Sequence, residues 1–501
     1  MIPFFVDYAT PSALESTRDR AVLGLSADRR RPVRFHARVK KEHRVGFRFA
    51  LQALGDVVWS NDEWIDVELF RMMILDPIIT VHPDFVFFEG FSQDQSAYGM
   101  VRFDRAIFET EGEVICGTTN VDFTAWLRAA LAEMRSSRDT WLRIEPAGFE
   151  IASKGAGGRF EKKVEIPETW IRGFLSLQAA MAMPGTRLNV RPVDLLAAIR
   201  FLKVLKAKVA PRAVRFEMDP GQDAKIILEP WEHLVPLVGA DHTYAEKRVI
   251  RTWGRRRLKL LEPVLPYADQ VEIYLKGRAL PHFYRVEMSG ASFLLGLSGW
   301  SENKFSSSGG LSLLSGMGSN EAPPGTEAAA ASLAANYHGN GDPAAMSYLV
   351  RAGRAFYDLE RREYRHRELF DKPIDLPSVF PPDAQLIASK GMAVTVTSAL
   401  PRETKKTRRL KTPDGPVMRE IVYRDWQVFG SAGDQPQVEA VLNGDGRLIF
   451  GKCGCKLFVE HHLSEGPCAH LIALVTASES QRRDLPTSTL APAEHVEDND
   501  E

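Results

Sequence analysis

The segment KCGCKLFVEHHLSEGPCAHLI, residues 452–472, carries three of the four cysteines of a 501-residue chain. Cys453 and Cys455 are one residue apart, and Cys468 stands two residues before His470. Three thiolates and one imidazole form a ligand set that tetrahedral zinc takes in structural sites. We therefore predict that these four residues bind one zinc ion.

The flanking residues predict how this segment folds. Residues 446–455 read as a strand that delivers the first two thiols, with Gly454 allowing the backbone to bend. Residues 466–478 read as a turn and then a helix that opens near Pro467. Cys468 and His470 would lie in its first turn, where the helix N-terminus favours a thiolate. Because four protein ligands would close the zinc shell, we expect a structural ion.

Other interpretations of the same residues remain open. His461 and His462 are rivals of His470 as the fourth ligand, although a solvated loop is the favoured explanation for them. The cysteines could also be free thiols beside an unrelated histidine. Cys116, in EVICGTTN, has no partner near it in sequence and is expected to be a small buried apolar residue.

The C-x-C…C-x-H pattern with these flanks resembles the SWIM zinc finger. Four further stretches look like parts of bacterial SWIM zinc finger proteins: DPIITVHPDFVFFEGFSQD (76–94), RTWGRRRL (251–258), GLSGW (296–300) and RAFYDLERREYRHREL (354–369). The resemblance implies that the finger binds DNA or protein partners. It also implies an association with MoxR-type AAA+ ATPases and von Willebrand A domain proteins.

The length of the chain predicts several domains, because 501 residues exceed one ordinary core. We expect an α+β, multidomain protein in which mixed αβ N-terminal and middle domains precede a winged-helix-like module and a C-terminal ββα zinc finger. The expected units are an N-terminal domain (1–165), a middle domain (166–300), a Ser/Gly-rich linker (301–326), a winged-helix-like module (327–375), a β-rich module (376–480) containing the finger (445–478), and a disordered acidic tail (481–501).

Composition limits the function classes. The 64 basic and 65 acidic residues give a net charge of -1, which argues against a wholly basic nucleic-acid binder. No apolar run approaches the ~18 residues of a membrane span. We find no secretory signal peptide, and the few cysteines favour a reducing, cytoplasmic setting.

Three local basic segments remain candidates for binding phosphate backbones. One is a basic helix predicted over 243–266, whose arginines could instead pair with acids of a neighbouring domain. The second is a predicted loop over 402–411, and the third is the turn of the winged-helix-like hairpin. The nucleic-acid-binding candidates are Arg361, Arg362, Arg365, Arg367, Lys405, Lys406, Arg408 and Arg409.

Familiar catalytic motifs are absent from the sequence. GRLIFGK (446–452) mimics a phosphate loop, but a cysteine follows where Ser or Thr should hold magnesium. We therefore expect a non-catalytic adaptor that recognises a protein partner, with DNA or RNA binding as the alternative and an unrecognised enzyme as the third possibility. A continuous basic face would favour nucleic acid, and an exposed apolar patch would favour a protein partner.

Overall fold

The computed structural model describes most of the chain. The described residues are 4–60, 77–121, 131, 134–135, 137–146, 162–208, 210–278, 280–299, 304–306, 321–372, 374–379, 383–413, 415–464, 466–482 and 489–490. Most of the predicted linker (301–326) and most of the predicted acidic tail (481–501) lie outside them. Within the described residues, no helix combines the length and apolar character needed to span a membrane.

An eight-stranded antiparallel sheet organises the first 300 residues. Its strand order is β12-β17-β18-β19-β7-β6-β5-β9. Its strands are β5 (Ile78–Val81), β6 (Phe85–Phe91), β7 (Ala97–Asp104), β9 (Gly117–Asn120), β12 (Thr186–Val190), β17 (Gln270–Leu275), β18 (His282–Met288) and β19 (Ala291–Leu297). Since β19 pairs with β7 along its whole length, the predicted domains 1–165 and 166–300 share one sheet.

Helix α1 (Arg44–Val58) packs on one face of this sheet. Two glycines that face each other on β6 and β7, Gly90 and Gly99, allow the helix to come close. A Cβ atom at Gly99 would lie 3.1 Å from the Val57 side chain, and one at Gly90 would lie 3.0 Å from Val58. Larger residues at these two positions would push the helix away from the core.

A smaller mixed sheet shares its apolar core with α1. Its order is β2-β3-β10-β4-β8, with β10 parallel to β3 and antiparallel to β4. Its strands are β2 (Ala13–Ser16), β3 (Arg20–Ser26), β4 (Phe35–Val39), β8 (Phe108–Thr110) and β10 (Asp139–Glu145), and a separate pair joins β1 (Phe4–Tyr8) to β11 (Lys162–Ile166). One apolar core extends through both sheets.

The middle of the chain adds two helices and a four-stranded sheet. These elements are α2 (Glu168–Ala182), α3 (Pro192–Val204), β13 (Val214–Met218), β14 (Lys225–Leu228), β15 (His233–Pro236) and β16 (Arg248–Thr252), and the strand order is β15-β14-β13-β16. The helix predicted over 243–266 is wrong in its first half, because β16 pairs with β13 there. Gly254 then adopts a left-handed conformation, at φ +80°, and a 3-10 helix at Arg255–Leu261 follows it.

The next unit follows the predicted order of helix, helix and hairpin. It contains α4 (Thr326–Asn336), β20 (His338–Gly339), α5 (Pro343–Arg351), β21 (Ala355–Asp358) and β22 (Glu363–His366). Asp342 caps α5 by accepting a hydrogen bond from the Ala345 amide at 2.9 Å, which satisfies one free donor of the first turn. The unit packs against α2 and the eight-stranded sheet through a shared apolar cluster.

The C-terminal module is a sheet with helices on one face. A short helix, α6 (Leu376–Val379), precedes the module and packs against α2. The module's elements are α7 (Ala384–Ser389), β23 (Val394–Thr412), β24 (Gly415–Ala432), β25 (Gln435–Asn443), β26 (Leu448–Lys452), α8 (Lys456–His461), α9 (Ala469–Ala477) and β27 (Thr489–Leu490). The loop predicted over 402–411 is wrong, because these residues belong to β23. β23 and β24 form a long hairpin that extends beyond β25. The predicted α+β class is confirmed.

Candidate metal centre and basic surfaces

Two helix N-termini and one strand end bring the four predicted ligands together. β26 ends one residue before Cys453, and Cys455 is the N-cap residue of α8. Cys468 is the N-cap of α9, which places His470 in the first turn as predicted. The backbone amide of Cys455 favours the thiolate of Cys453, and that of Leu471 favours the thiolate of Cys468.

The ligand atoms are close enough to share one ion. One ligand atom from each of Cys453, Cys455, Cys468 and His470 lies within 4.8 Å of the other three. Cys453 and Cys468 are buried, while Cys455 and His470 are half-buried. The cluster can therefore hold a metal ion largely out of contact with solvent.

The two nitrogens of His470 have different surroundings. Its Nε2 lies 3.0 Å from a carboxylate oxygen of Asp434, in the turn between β24 and β25. Its Nδ1 is buried and has no hydrogen-bond partner within the described part of the chain. A buried nitrogen without a partner is costly, and a bound cation would satisfy it. We infer that Nδ1 is the ligand atom, because metal-bound histidines usually donate their other N–H to a carboxylate.

Two contacts hold the ligand-bearing backbone in place. A Cβ atom at Gly454 would lie 2.7 Å from Oε1 of Gln435, so a larger residue there would displace the end of the Gln435 side chain. The amide of Ala469 donates a hydrogen bond to Oε1 of Gln385 at 2.9 Å, which ties the start of α9 to α7. The prediction was that Gly454 lets the backbone bend, but Gly454 is not among the described glycines at positive φ.

Without a metal ion, the thiolate forms of Cys453 and Cys468 are disfavoured. Burial, followed by the neighbouring thiols, raises the pKa of Cys453 to about 12. Burial also raises the pKa of Cys468. Since a metal ion binds the thiolate, a divalent cation at this centre would reverse the effect that burial and like charges have on these groups.

The rival ligands lie elsewhere. The one cluster of potential metal ligands found among the described residues consists of the four predicted side chains, without His461 or His462. His462 is exposed and its ring contacts Phe458. Cys116 is half-buried and packs against the main apolar core.

The hairpin β21–β22 corrects one part of the basic prediction. Arg361 and Arg362 are exposed at its turn, as expected. Arg365 and Arg367 are each 1% exposed and cannot reach a phosphate backbone. Arg365 pairs with Asp84 at 3.1 Å, and Arg367 pairs with the fully buried Glu89. These arginines were assigned wrongly because Arg365 on β22 and Arg367 just after it face β6 and the turn before it, where Glu89 and Asp84 lie.

The segment 251–259 contains two kinds of basic residue. Arg251 and Arg257 are buried and pair with acids, Arg251 with Glu229 and Asp445, and Arg257 with Asp94. Their pairing agrees with the alternative interpretation of this segment. The segment's remaining arginines, Arg255 and Arg256, line a cleft against the C-terminal sheet.

The four basic candidates on β23 are exposed. Lys405 pairs with Glu420 at 3.2 Å, and Lys406 lies 5.8 Å from the ring centre of Tyr423. Arg408 and Arg409 form no ion pair with any described residue. Lys406 also lines the cleft that contains Arg255 and Arg256, so the structure brings two of the three predicted basic segments together.

Comparison with known proteins does not assign the chain to a family. No family model and no curated protein matches it. Among solved structures, the proliferating cellular nuclear antigen of Entamoeba histolytica is similar over 53% of this chain and 99% of its own. The identity is 10% and the TM-score is 0.33.

Sequence reasoning missed two contributors to these surfaces. Asp434, which bonds His470, stands in a turn (GDQ) that resembles many others. Arg212, on the connection before β13, lines the cleft although no charge run marks it. Only the folded chain brings these residues to their partners.

Proposed function

We propose that this chain is a zinc-binding, non-catalytic adaptor that recognises a protein partner. The observation that carries the proposal is the Cys453, Cys455, Cys468 and His470 cluster, in which the Nδ1 of His470 is buried and otherwise unsatisfied. Zinc suits this donor set because it accepts thiolates and imidazole in a tetrahedron. Bonds of about 2.0–2.3 Å place the ligand atoms of such a tetrahedron about 3.3–3.8 Å apart, which agrees with the observed clustering.

The proposed zinc is structural. Four protein ligands leave no open position for water or substrate. The two finger helices pack on one face of the C-terminal sheet, where Leu471 and Leu474 meet Val428, Ala440 and Leu442. The ion would therefore fix a small core that holds the root of the long β23–β24 hairpin.

A protein partner fits the exposed apolar side chains of this module. Four large apolar residues are between 57% and 62% exposed: Ile387, Leu400, Met418 and Val459. The resemblance to bacterial SWIM zinc finger proteins suggests an AAA+ ATPase of the MoxR type or a von Willebrand A domain protein as the partner. A reducing, cytoplasmic setting would keep the three thiols available for the ion.

Affinity capture with the full-length chain tests this function. The chain is used as bait in extract from its host, with and without nuclease, and bound proteins are identified by mass spectrometry. The matched control is the Cys453→Ser, Cys455→Ser double variant, which should lose the ion. A partner that survives nuclease and is lost with the double variant supports the adaptor. Capture that disappears with nuclease would contradict it.

The exposed hairpin favours nucleic-acid binding as a second candidate. Arg408 and Arg409 project from β23 without ion pairs among the described residues, so both could reach a phosphate backbone. A mobility shift with single-stranded and duplex probes tests this candidate. It predicts binding that weakens steeply with salt and with Arg409→Glu.

A further inference from the structure

A basic cleft lies between the middle sheet and the C-terminal sheet. Its volume is about 960 Å³. One wall comes from residues 210–212 and 251–256, and the other comes from the hairpin β23–β24 with β25 and β26. A cavity of this size between two structural units is a common setting for a small-molecule site.

The C-terminal sheet presents a different surface on each face. Its inner face carries the apolar residues that pack on the finger helices. On its outer face, Arg402, Asp425 and Asn443 lie side by side on three adjacent strands, because the register pairs them in that order. The adjacent row ends in Val441 and Phe450. The cleft is therefore lined by the alternate residues that the finger core does not use.

Contacts at both ends fix the width of the cleft. At the outer end, the Tyr423 hydroxyl donates a hydrogen bond to the Ala210 carbonyl at 2.8 Å, and Trp231 Nε1 donates one to the Lys411 carbonyl at 2.7 Å. At the inner end, Arg251 and Asp445 form a buried ion pair. The two walls of the cleft touch at both of its ends. The cleft therefore suits a compact ligand better than a nucleic-acid strand that runs through it.

Unpaired positive charge collects in this cleft. Seven basic and three acidic side chains line it. Five of the basic side chains form no ion pair within the described part of the chain: Arg212, Arg255, Arg256, Arg402 and Lys406. Arg251, by contrast, is neutralised by Glu229 and Asp445 and so has a structural role.

The charged form of Arg255 is destabilised in this cleft. Burial, followed by the nearby charges of Arg212 and Arg256, lowers its pKa to about 10. Its guanidinium donates to the Glu229 carbonyl and lies 5.4 Å from the ring centre of Trp231. The Glu229 carboxylate attracts it, but no carboxylate of the described residues forms an ion pair with it. Cations held together in this way are stabilised when a multivalent anion enters, and arginine binds phosphate through paired hydrogen bonds.

The remaining lining suits a planar, partly apolar group. Phe450 and Ile449 are each 49% exposed where they line the cleft, and the Trp253 ring lies on the opposite wall. Gln427 and Asn443 add amide donors and acceptors beside them. Apolar rings next to a cluster of cations match a ligand that joins a heterocyclic base to several phosphates.

We propose that this cleft binds a nucleoside polyphosphate. The phosphates contact Arg212, Arg255 and Arg256 on one wall and Arg402 and Lys406 on the other, and the base lies against Phe450 and Trp253. The proposal goes beyond the adaptor function and does not depend on it.

Isothermal titration of the full-length, zinc-loaded chain with ATP tests this site. Inorganic triphosphate and a single-stranded oligonucleotide are titrated in parallel. Arg256→Glu and Arg402→Glu alter exposed side chains on opposite walls, so both variants should fold. Arg409→Glu is the matched control, because Arg409 lies on the same strand as Arg402 but on the opposite face.

We expect ATP to bind the unaltered chain and to bind each cleft variant about tenfold more weakly or worse. The Arg409→Glu control should retain full affinity, and triphosphate without a base should bind more weakly than ATP. The proposal is overturned if ATP does not bind, if the control loses as much affinity as the cleft variants, or if triphosphate binds as tightly as ATP. Binding of the oligonucleotide alone would also overturn it and would favour the nucleic-acid candidate.

Discussion

Replacing Asp434 with alanine should weaken metal binding although Asp434 touches no metal. Its carboxylate accepts a hydrogen bond from the His470 ring, at 3.0 Å from Nε2. That bond fixes which nitrogen carries the proton and turns Nδ1 towards the three thiols. Loss of such a supporting group costs about 10- to 100-fold in metal affinity, or about 1.4–2.7 kcal/mol.

The effect should pass into stability by linkage. An ion that binds only the folded module stabilises it in proportion to the logarithm of its concentration over Kd. At a fixed free zinc concentration well above Kd, the loss in the metal-dependent free energy of unfolding should equal the loss in the free energy of zinc binding. Asp434→Ala should therefore lower this part of the stability by about 1.4–2.7 kcal/mol. Without metal, the loss should be small, because Asp434 is 80% exposed.

Competition with a chromophoric chelator at neutral pH measures the affinity. Glu460→Ala is the matched control, since Glu460 is an exposed acid on the finger helix α8 with the same charge but is not among the cluster's ligands. Equal affinities for Asp434→Ala and the unaltered chain would refute the assignment of Nδ1 as ligand. Equal weakening by both variants would show that general charge, and not the hydrogen bond, is responsible.

Three further predictions concern the metal, a buried ion pair and a buried histidine. Cys453→Ser should reduce bound zinc to well below one ion per chain by elemental analysis and increase hydrogen exchange in the C-terminal module, while the eight-stranded sheet stays protected; full retention of zinc would contradict the ligand assignment. Arg367→Ala should destabilise the chain by about 3–5 kcal/mol in chemical denaturation, because it leaves the Glu89 charge buried and unpaired. The control Arg361→Ala, at the exposed turn, should cost less than about 0.5 kcal/mol. Equal costs for the two variants would show that the buried ion pair is unimportant. Burial lowers the pKa of His282 to about 3. Below about pH 6.5 the unfolded chain therefore binds one more proton than the folded chain, and the free energy of unfolding should fall by about 1.4 kcal/mol per pH unit. A His282→Gln variant whose stability has the same dependence on pH would refute this contribution.

The metal centre was predictable because its ligands carry their own local signal. Cysteine is rare in this chain, and the N-caps of two short helices are close in sequence to the strand that precedes them. The helix, helix and hairpin order of 326–366 was also local, since each element forms from its own turn and capping residues. The hydrogen bond from Asp434 carried no such signal, because it spans 36 residues.

The basic segments show where a local pattern is insufficient. Residues 402–411 resemble a loop by charge, but as half of a long hairpin their polar side chains face solvent on both sides. The prediction of a helix over 243–266 was wrong in its first half, because the pairing of β16 with β13 outweighs helix propensity there. The sequence of this segment alone does not show that β13 lies beside it. The predicted domain boundary at 165/166 is crossed by the pairing of β7 with β19. No local pattern in the sequence indicates a pairing between strands so far apart in the chain.

Arginine illustrates why net charge could not reveal the cleft. Arg367 forms an ion pair with Glu89, which lies 278 residues away in sequence. Arg251 forms ion pairs with Glu229 and Asp445. Such ion pairs bury charges of both signs, so a chain with 64 basic and 65 acidic residues can still concentrate unpaired cations in one place. Arg255 has the same side chain as Arg367 but no carboxylate partner among the described residues, and its pKa falls as a result of burial and nearby arginines. The distinction between a structural arginine and one available to an anion therefore depends on which acid the fold brings to it.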